Sequence, residues 1–255
     1  MVAAHMRRDV QAIVLILVGG AILRITIGDT FLNYVQEAMR PWLLLSGGTL
    51  VVLGVLALID VLRKGRAAAD EPTPHDEPHE HAAAHGDDDG HGHGTGGPRA
   101  AWLLLLPVLA IFLIAPPALG AYAAARDVAN SAPQEAKAPP LPPGDPAQVT
   151  VAGYVGRAVW DDGLTLVDRT VEMTGFVTPD PEGGWWISRM AVACCAADAI
   201  ASKVKVLNAP DLPADTWVTI TGRWVPGGGT KTDTAIPLIE VETLVEVPQP
   251  RNPYE

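Results

Sequence analysis

Three long apolar runs restrict what this chain can fold into. Val10–Ile27 is interrupted only by Arg24, Trp42–Ile59 carries no charge, and Ala100–Ala125 carries none over 26 residues. A hydrocarbon core about 30 Å thick takes roughly 20 apolar residues in a helix, so each run has the length of a transmembrane segment. Arg24 lies near the end of its run, where a long side chain reaches the headgroups. Pro107 fits a kinked membrane helix, whereas the adjacent Pro116 and Pro117 mark an end.

Basic residues set the orientation. Arg7 and Arg8 precede the first run, Arg63, Lys64 and Arg66 follow the second, and Arg99 precedes the third. Gly28–Arg40 carries one basic residue, Arg40. By the positive-inside rule the N-terminus and the segment Leu62–Arg99 are cytoplasmic, and three crossings place the C-terminal part outside. The expected location is the plasma membrane, with several passes through the bilayer. An alternative reading makes Met1–Ala21 a cleaved signal peptide. The later segments alone still put the C-terminal part outside.

The expected organisation follows. Residues 1–62 hold two transmembrane helices, 63–99 a disordered cytoplasmic linker, 100–125 a third helix, 126–148 a Pro/Ala-rich spacer, and 149–255 an extracytoplasmic β domain. The linker contains six of the seven histidines: His75, His79, His81, His85, His91 and His93. Acidic residues are mixed among them. The segment is too polar to bury a core of its own. Neutral imidazole and carboxylate are ligands for divalent transition metals such as zinc, and the loose spacing suits a multidentate buffer. The alternative is a solvated acidic linker with incidental histidines. The net charge of −11 argues against nucleic acid as a partner, because phosphates call for a basic surface.

After the spacer, Thr150 can cap a short helix whose apolar positions Val151, Tyr154, Val155, Ala158 and Val159 share one face. The period then becomes two. Strands are expected at Thr170–Thr178, Trp185–Cys195, Ser202–Asn208, Trp217–Val225 and Ile236–Val247. Five short strands after a helix fit an OB-like five-stranded barrel, with a sandwich as the competing architecture. Most of Trp160, Trp185, Trp186, Trp217 and Trp224 are expected to pack in the core or at the barrel edge.

Cys194 and Cys195 are the only cysteines and they are adjacent, so they do not form an ordinary structural disulfide. With the Asp198 carboxylate they can offer three ligands to a borderline or soft metal. Arg189 can lower a nearby thiol pKa or pair with Asp198. The alternative places one cysteine in the core and the other in solvent, because strand neighbours point oppositely. A strand continuing through both would keep them from one ion unless a bulge intervened.

The order of apolar segments, the His-rich insert, Leu103–Gly120 with its proline pair, Gly175-Phe176-Val177, Arg189, the string Cys194-Cys195-Ala196-Ala197-Asp198-Ala199 and the ending Pro250-Arg251-Asn252-Pro253-Tyr254 form one pattern. It resembles the YcgQ-type family of small bacterial membrane proteins, described as permease subunits. The resemblance implies a separate polytopic permease as partner and a role in transport. The chain shows no phosphate-binding glycine loop and no recognisable nucleophile–base pair, so a non-enzymatic role is expected. The expectation is an accessory permease subunit that handles a divalent transition metal ion. The alternatives are an extracytoplasmic thiol-redox protein and a membrane-anchored interaction module.

Overall fold

The computed structural model describes residues 2–69, 117–130 and 138–255, with side chains described for 10–63, 117–130 and 138–255. It divides into two compact units: Met1–Gly28 with Pro41–Ala115, and Asp29–Arg40 with Pro116–Glu255.

The first unit contains helix α1 (Val2–Ile27) and most of helix α2 (Arg40–Ala69). Val10–Ile27 of α1, and Glu37–Arg63, which joins a short 3-10 turn to α2, are long and apolar enough to cross a membrane. Leu17, Leu45, Leu53 and Leu56 stand about half exposed on their outer faces. The helices meet through small residues. A Cβ at Gly19 would lie 2.7 Å from the Gly47 carbonyl oxygen, and one at Gly54 would lie 2.9 Å from the Ala12 carbonyl oxygen. Close backbone approach of this kind is how helices associate where no hydrophobic drive separates them from lipid. Gly54→Leu should therefore open the pair and lower its stability by about 1–3 kcal/mol. Thermal unfolding of the detergent-solubilised chain measures this, and an unchanged melting curve would refute the contact.

The expected third span falls mostly outside the described residues. Its end does not continue as a membrane helix. Pro117 onward belongs to the second unit, where helix α3 (Ala121–Arg126) lies on a β-sheet. Residues 117–120 are irregular, in keeping with a proline at Pro117.

The sheet has six strands, one more than expected: β1 (Ala147–Gln148), β2 (Thr170–Pro179), β3 (Trp185–Ala191), β4 (Ile200–Leu207), β5 (Trp217–Val225) and β6 (Leu238–Glu246). Their order is β1-β2-β3-β4-β6-β5, and β5 also pairs antiparallel with β2. The β4–β6 and β1–β2 pairings are parallel. β1 escaped the sequence pattern because two residues give no period, and its partner strand supplies the order. Helix α4 (Val151–Trp160) starts as expected: Thr150 Oγ1 accepts from the Gly153 N–H at 2.9 Å. The Glu255 carboxylate accepts from the Val151 and Ala152 N–H groups at 2.9 and 3.1 Å, which satisfies two more donors of the first turn.

The face of α4 predicted to be apolar is buried. Val151, Tyr154, Val155 and Val159 pack with Val171, Met173, Ile187, Val204, Val218, Ile220 and Ile239. Tyr154 donates its hydroxyl proton to the Leu238 carbonyl at 2.6 Å. At Gly175 the strands come so close that a Cβ would lie 2.6 Å from the Ser188 carbonyl oxygen.

The alternation in β2 is only half the pattern, because its second face is also covered near its end. Phe176, Met190, Val192, Ala201 and Tyr254 form a second cluster with Ala121 and Ala124 of α3. Trp217 meets Phe176 edge to face at 5.4 Å between ring centres. The spacer is pinned to the sheet at both ends. Asn130 donates to the Lys203 and Ala235 carbonyls and accepts from the Lys203 N–H, and Ala147–Gln148 pairs with β2.

Candidate metal centre

The site begins where β3 stops. The strand was expected to run to Cys195, but it ends at Ala191, and a 3-10 turn follows at Ala196–Asp198. The chain must turn here because Asp198 draws the preceding backbone onto its carboxylate. Oδ1 accepts from the Ala193 N–H at 2.9 Å. Oδ2 accepts from the Cys194 and Cys195 N–H groups at 2.9 and 3.3 Å. The Cys195 side chain in turn accepts from the Asp198 N–H, closing a capping box.

This turn decides the geometry of the vicinal pair. On a continuing strand the two thiols would face opposite ways. Here one ligand atom from each of Cys194, Cys195 and Asp198 lies within 4.8 Å of the others. Cys194 and Asp198 are exposed and Cys195 is partly so. A tetrahedral zinc ion with sulfur at about 2.3 Å spaces its ligands by roughly 3.5–3.8 Å, so an ion that replaces the thiol proton would move Cys194 Sγ and Asp198 Oδ2 apart from their 2.8 Å by about 1 Å. The chemistry of the donor set fits a borderline ion, with two thiols and one carboxylate.

Electrostatics describe the protonated form. The Cys194 thiol donates to Asp198 Oδ2 at 2.8 Å. That bond, with Cys195 as a second neighbour, pushes the thiol up to about 11. The same bond, with the three backbone donors, holds the Asp198 carboxyl below its ordinary range. A nucleophilic redox thiol needs the opposite shift, toward a more easily formed thiolate.

A segment that the sequence pattern did not connect to the thiols completes the surroundings. Asp29–Arg40, the loop between α1 and α2, lies in this unit. Val35 forms an isolated antiparallel bridge with Cys195. The Gln36 N–H donates to the Cys194 carbonyl at 3.0 Å, and the Ala196 N–H donates to the Tyr34 carbonyl at 2.7 Å. Backbone pairing of this kind leaves no mark in side-chain pattern. The one available hint was that this short loop carries Phe31 and Leu32, which are buried.

Arg189 does not take the place expected of it. Its Nη2 donates to the Asn252 carbonyl at 3.0 Å, its guanidinium lies 4.8 Å from the Trp217 ring centre, and Glu255 acts on its charge. The reason is the strand register: Arg189 stands within β3 opposite Ser202, five residues before Cys194. It therefore ties β3 to the C-terminal tail. His75, His79, His81, His85, His91 and His93 lie outside the described residues.

Residues 161–255 match the family model of the DUF1980 C-terminal domain, an uncharacterised family domain. The match takes in strands β2 to β6 and the thiol turn. It does not reach α1, α2 or the His-rich tract, and it carries no indication of a permease. No curated protein and no solved structure matches the chain.

Proposed function

We propose that this chain is a non-enzymatic, membrane-anchored accessory subunit whose outer domain takes up a divalent transition metal ion, such as zinc, on Cys194, Cys195 and Asp198. The observation that carries the reading is the convergence of two thiols and a carboxylate within 4.8 Å at an exposed turn. Three protein ligands leave a fourth position open, which suits an ion that is exchanged rather than stored. The partner in this reading is a separate polytopic permease that passes the ion across the bilayer. The cytoplasmic histidines would gather the same ion on the opposite side.

The topology we propose has three crossings, with the N-terminus cytoplasmic. Its support is the membership of Asp29–Arg40 in the same unit as Pro116–Glu255. If α1 and α2 both span, that loop and the outer domain share one side of the bilayer. The chain must then cross once more between α2 and α3. Ala100–Pro116 is a charge-free stretch of 17 residues, at the lower limit of about 17 for a span. We also read the circuit of strands β2-β3-β4-β6-β5, closed by the β5–β2 pairing, as an OB-like barrel.

The test is metal stoichiometry of the full chain in detergent, with a version lacking residues 73–94 so that the histidines do not contribute. One zinc per chain is expected, lost in Cys194→Ser and in Cys195→Ser. Retention of zinc in both variants would remove the reading.

A further inference from the structure

The loop joining the two apolar helices is fastened to the backbone of the candidate ligands themselves. The Cys194 residue is held from both sides. Its N–H donates to Asp198, and its carbonyl accepts from Gln36. Beyond Cys195, the Ala196 N–H reaches back to the Tyr34 carbonyl. Two further anchors flank this pairing. The Asn33 carbonyl accepts from the Tyr254 hydroxyl at 2.7 Å. The Asp29 carboxylate pairs with Arg251 at 2.7 Å and with Arg40 at 3.5 Å.

The peptide planes around a vicinal cysteine pair decide where both sulfurs point. Asp198 holds the N–H groups of both cysteines and the Cys195 carbonyl, and the loop holds the Cys194 carbonyl and the Ala196 N–H. With the loop removed, one of the two restraints that keep the thiols from splaying is lost.

From this juxtaposition we infer that Asn33–Gln36 is a positioning element for the thiol site, and that metal binding and loop docking stabilise one another. The inference rests on the metal reading above. Coupling between two equilibria is reciprocal, so the factor by which docking strengthens metal binding is the factor by which metal strengthens docking. The occupied site thereby restrains the segment that is covalently continuous with α1 and α2, which gives a route from ion occupancy to the membrane helices.

Gln36 offers a clean perturbation. Its backbone sits at φ −61° and ψ 145°, a conformation that proline adopts without strain. Gln36→Pro removes the N–H that bonds Cys194 and sets a ring carbon in its place. Gln36→Ala keeps that N–H. Zinc affinity of the full chain lacking residues 73–94 is measured against a competing chelator. Amide exchange of residues 33–36 is followed in the otherwise unchanged protein with and without zinc, which needs no substitution.

The expected results are affinity about tenfold weaker in Gln36→Pro, the magnitude of one lost hydrogen bond, near-unchanged affinity in Gln36→Ala, and slower exchange of the loop amides when zinc is bound. The coupling stands only if the affinity loss and the slowed exchange are both seen. Zinc bound equally well by Gln36→Pro, or exchange indifferent to zinc, overturns the coupling and leaves the metal reading intact. No zinc on the unsubstituted protein overturns both.

Discussion

Zinc uptake at the thiol turn should strengthen by about tenfold for each pH unit from about pH 6 to 8 for the Cys194 proton alone, because that proton must leave before the sulfur can bind. The thiol sits at about 11, held there by its bond to Asp198 and by Cys195. It is therefore protonated throughout the neutral range, and the proton competes with the metal for the same sulfur. The sign follows directly: raising the pH lowers the proton's share and favours the ion. Cys194→Ser should reduce the slope by about one proton and weaken binding by at least about a hundredfold, the scale of a lost thiolate ligand. Competition titrations at a series of pH values measure both quantities. A slope unaffected by Cys194→Ser would mean that Cys194 does not ligate.

Tyr154→Ala should cost the C-terminal domain about 4 kcal/mol, the largest single-residue effect expected outside the site. The ring is fully buried between α4 and the sheet, and its hydroxyl serves the Leu238 carbonyl. Truncation leaves a cavity and an unpaired carbonyl together. The melting temperature of the domain should fall by roughly 10–15 °C. Tyr154→Phe, which fills the space and loses only the hydrogen bond, should cost about 1–2 kcal/mol. Burial also pushes the phenol far above its ordinary value. The unfolded chain then releases a proton above about pH 10 that the folded chain retains, so stability should decline as the pH rises past that point. Equal melting of Tyr154→Ala and the unsubstituted protein would contradict the packing described for α4.

Much of the C-terminal domain was readable from period alone. Helix α4, with its Thr150 cap, and the strands β2, β4, β5 and β6 fall where apolar alternation places them, within two residues at each end. Burial drives those elements, and burial is written in the side chains. Three tryptophans of this domain pack as that pattern implies: Trp185 is buried, and Trp160 and Trp224 lie against the main core. The limits of period show at three places. β1 is too short to have one. β3 stops before the cysteines because a carboxylate three residues downstream of Cys195 gathers their amides. The outer face of β2 is buried because α3 covers it, and α3 comes from a segment whose apolar composition equally suits lipid.

Residue chemistry nominated Cys194, Cys195 and Asp198, since thiols and carboxylates are ligands wherever they converge. Whether they converge is a matter of backbone direction, which the turn at Ala196–Asp198 decides. The same distinction explains Arg189, whose charge suggested a partner for the thiols and whose strand register gives it to Asn252, Trp217 and Glu255 instead. The apolar lengths, the amphipathic helix and the strand alternation were legible along the chain, because each depends on side chains a few positions apart. The docking of Asp29–Arg40 against the thiol turn was legible in the folded chain alone, because main-chain hydrogen bonds between segments about 160 residues apart draw on groups that every residue carries.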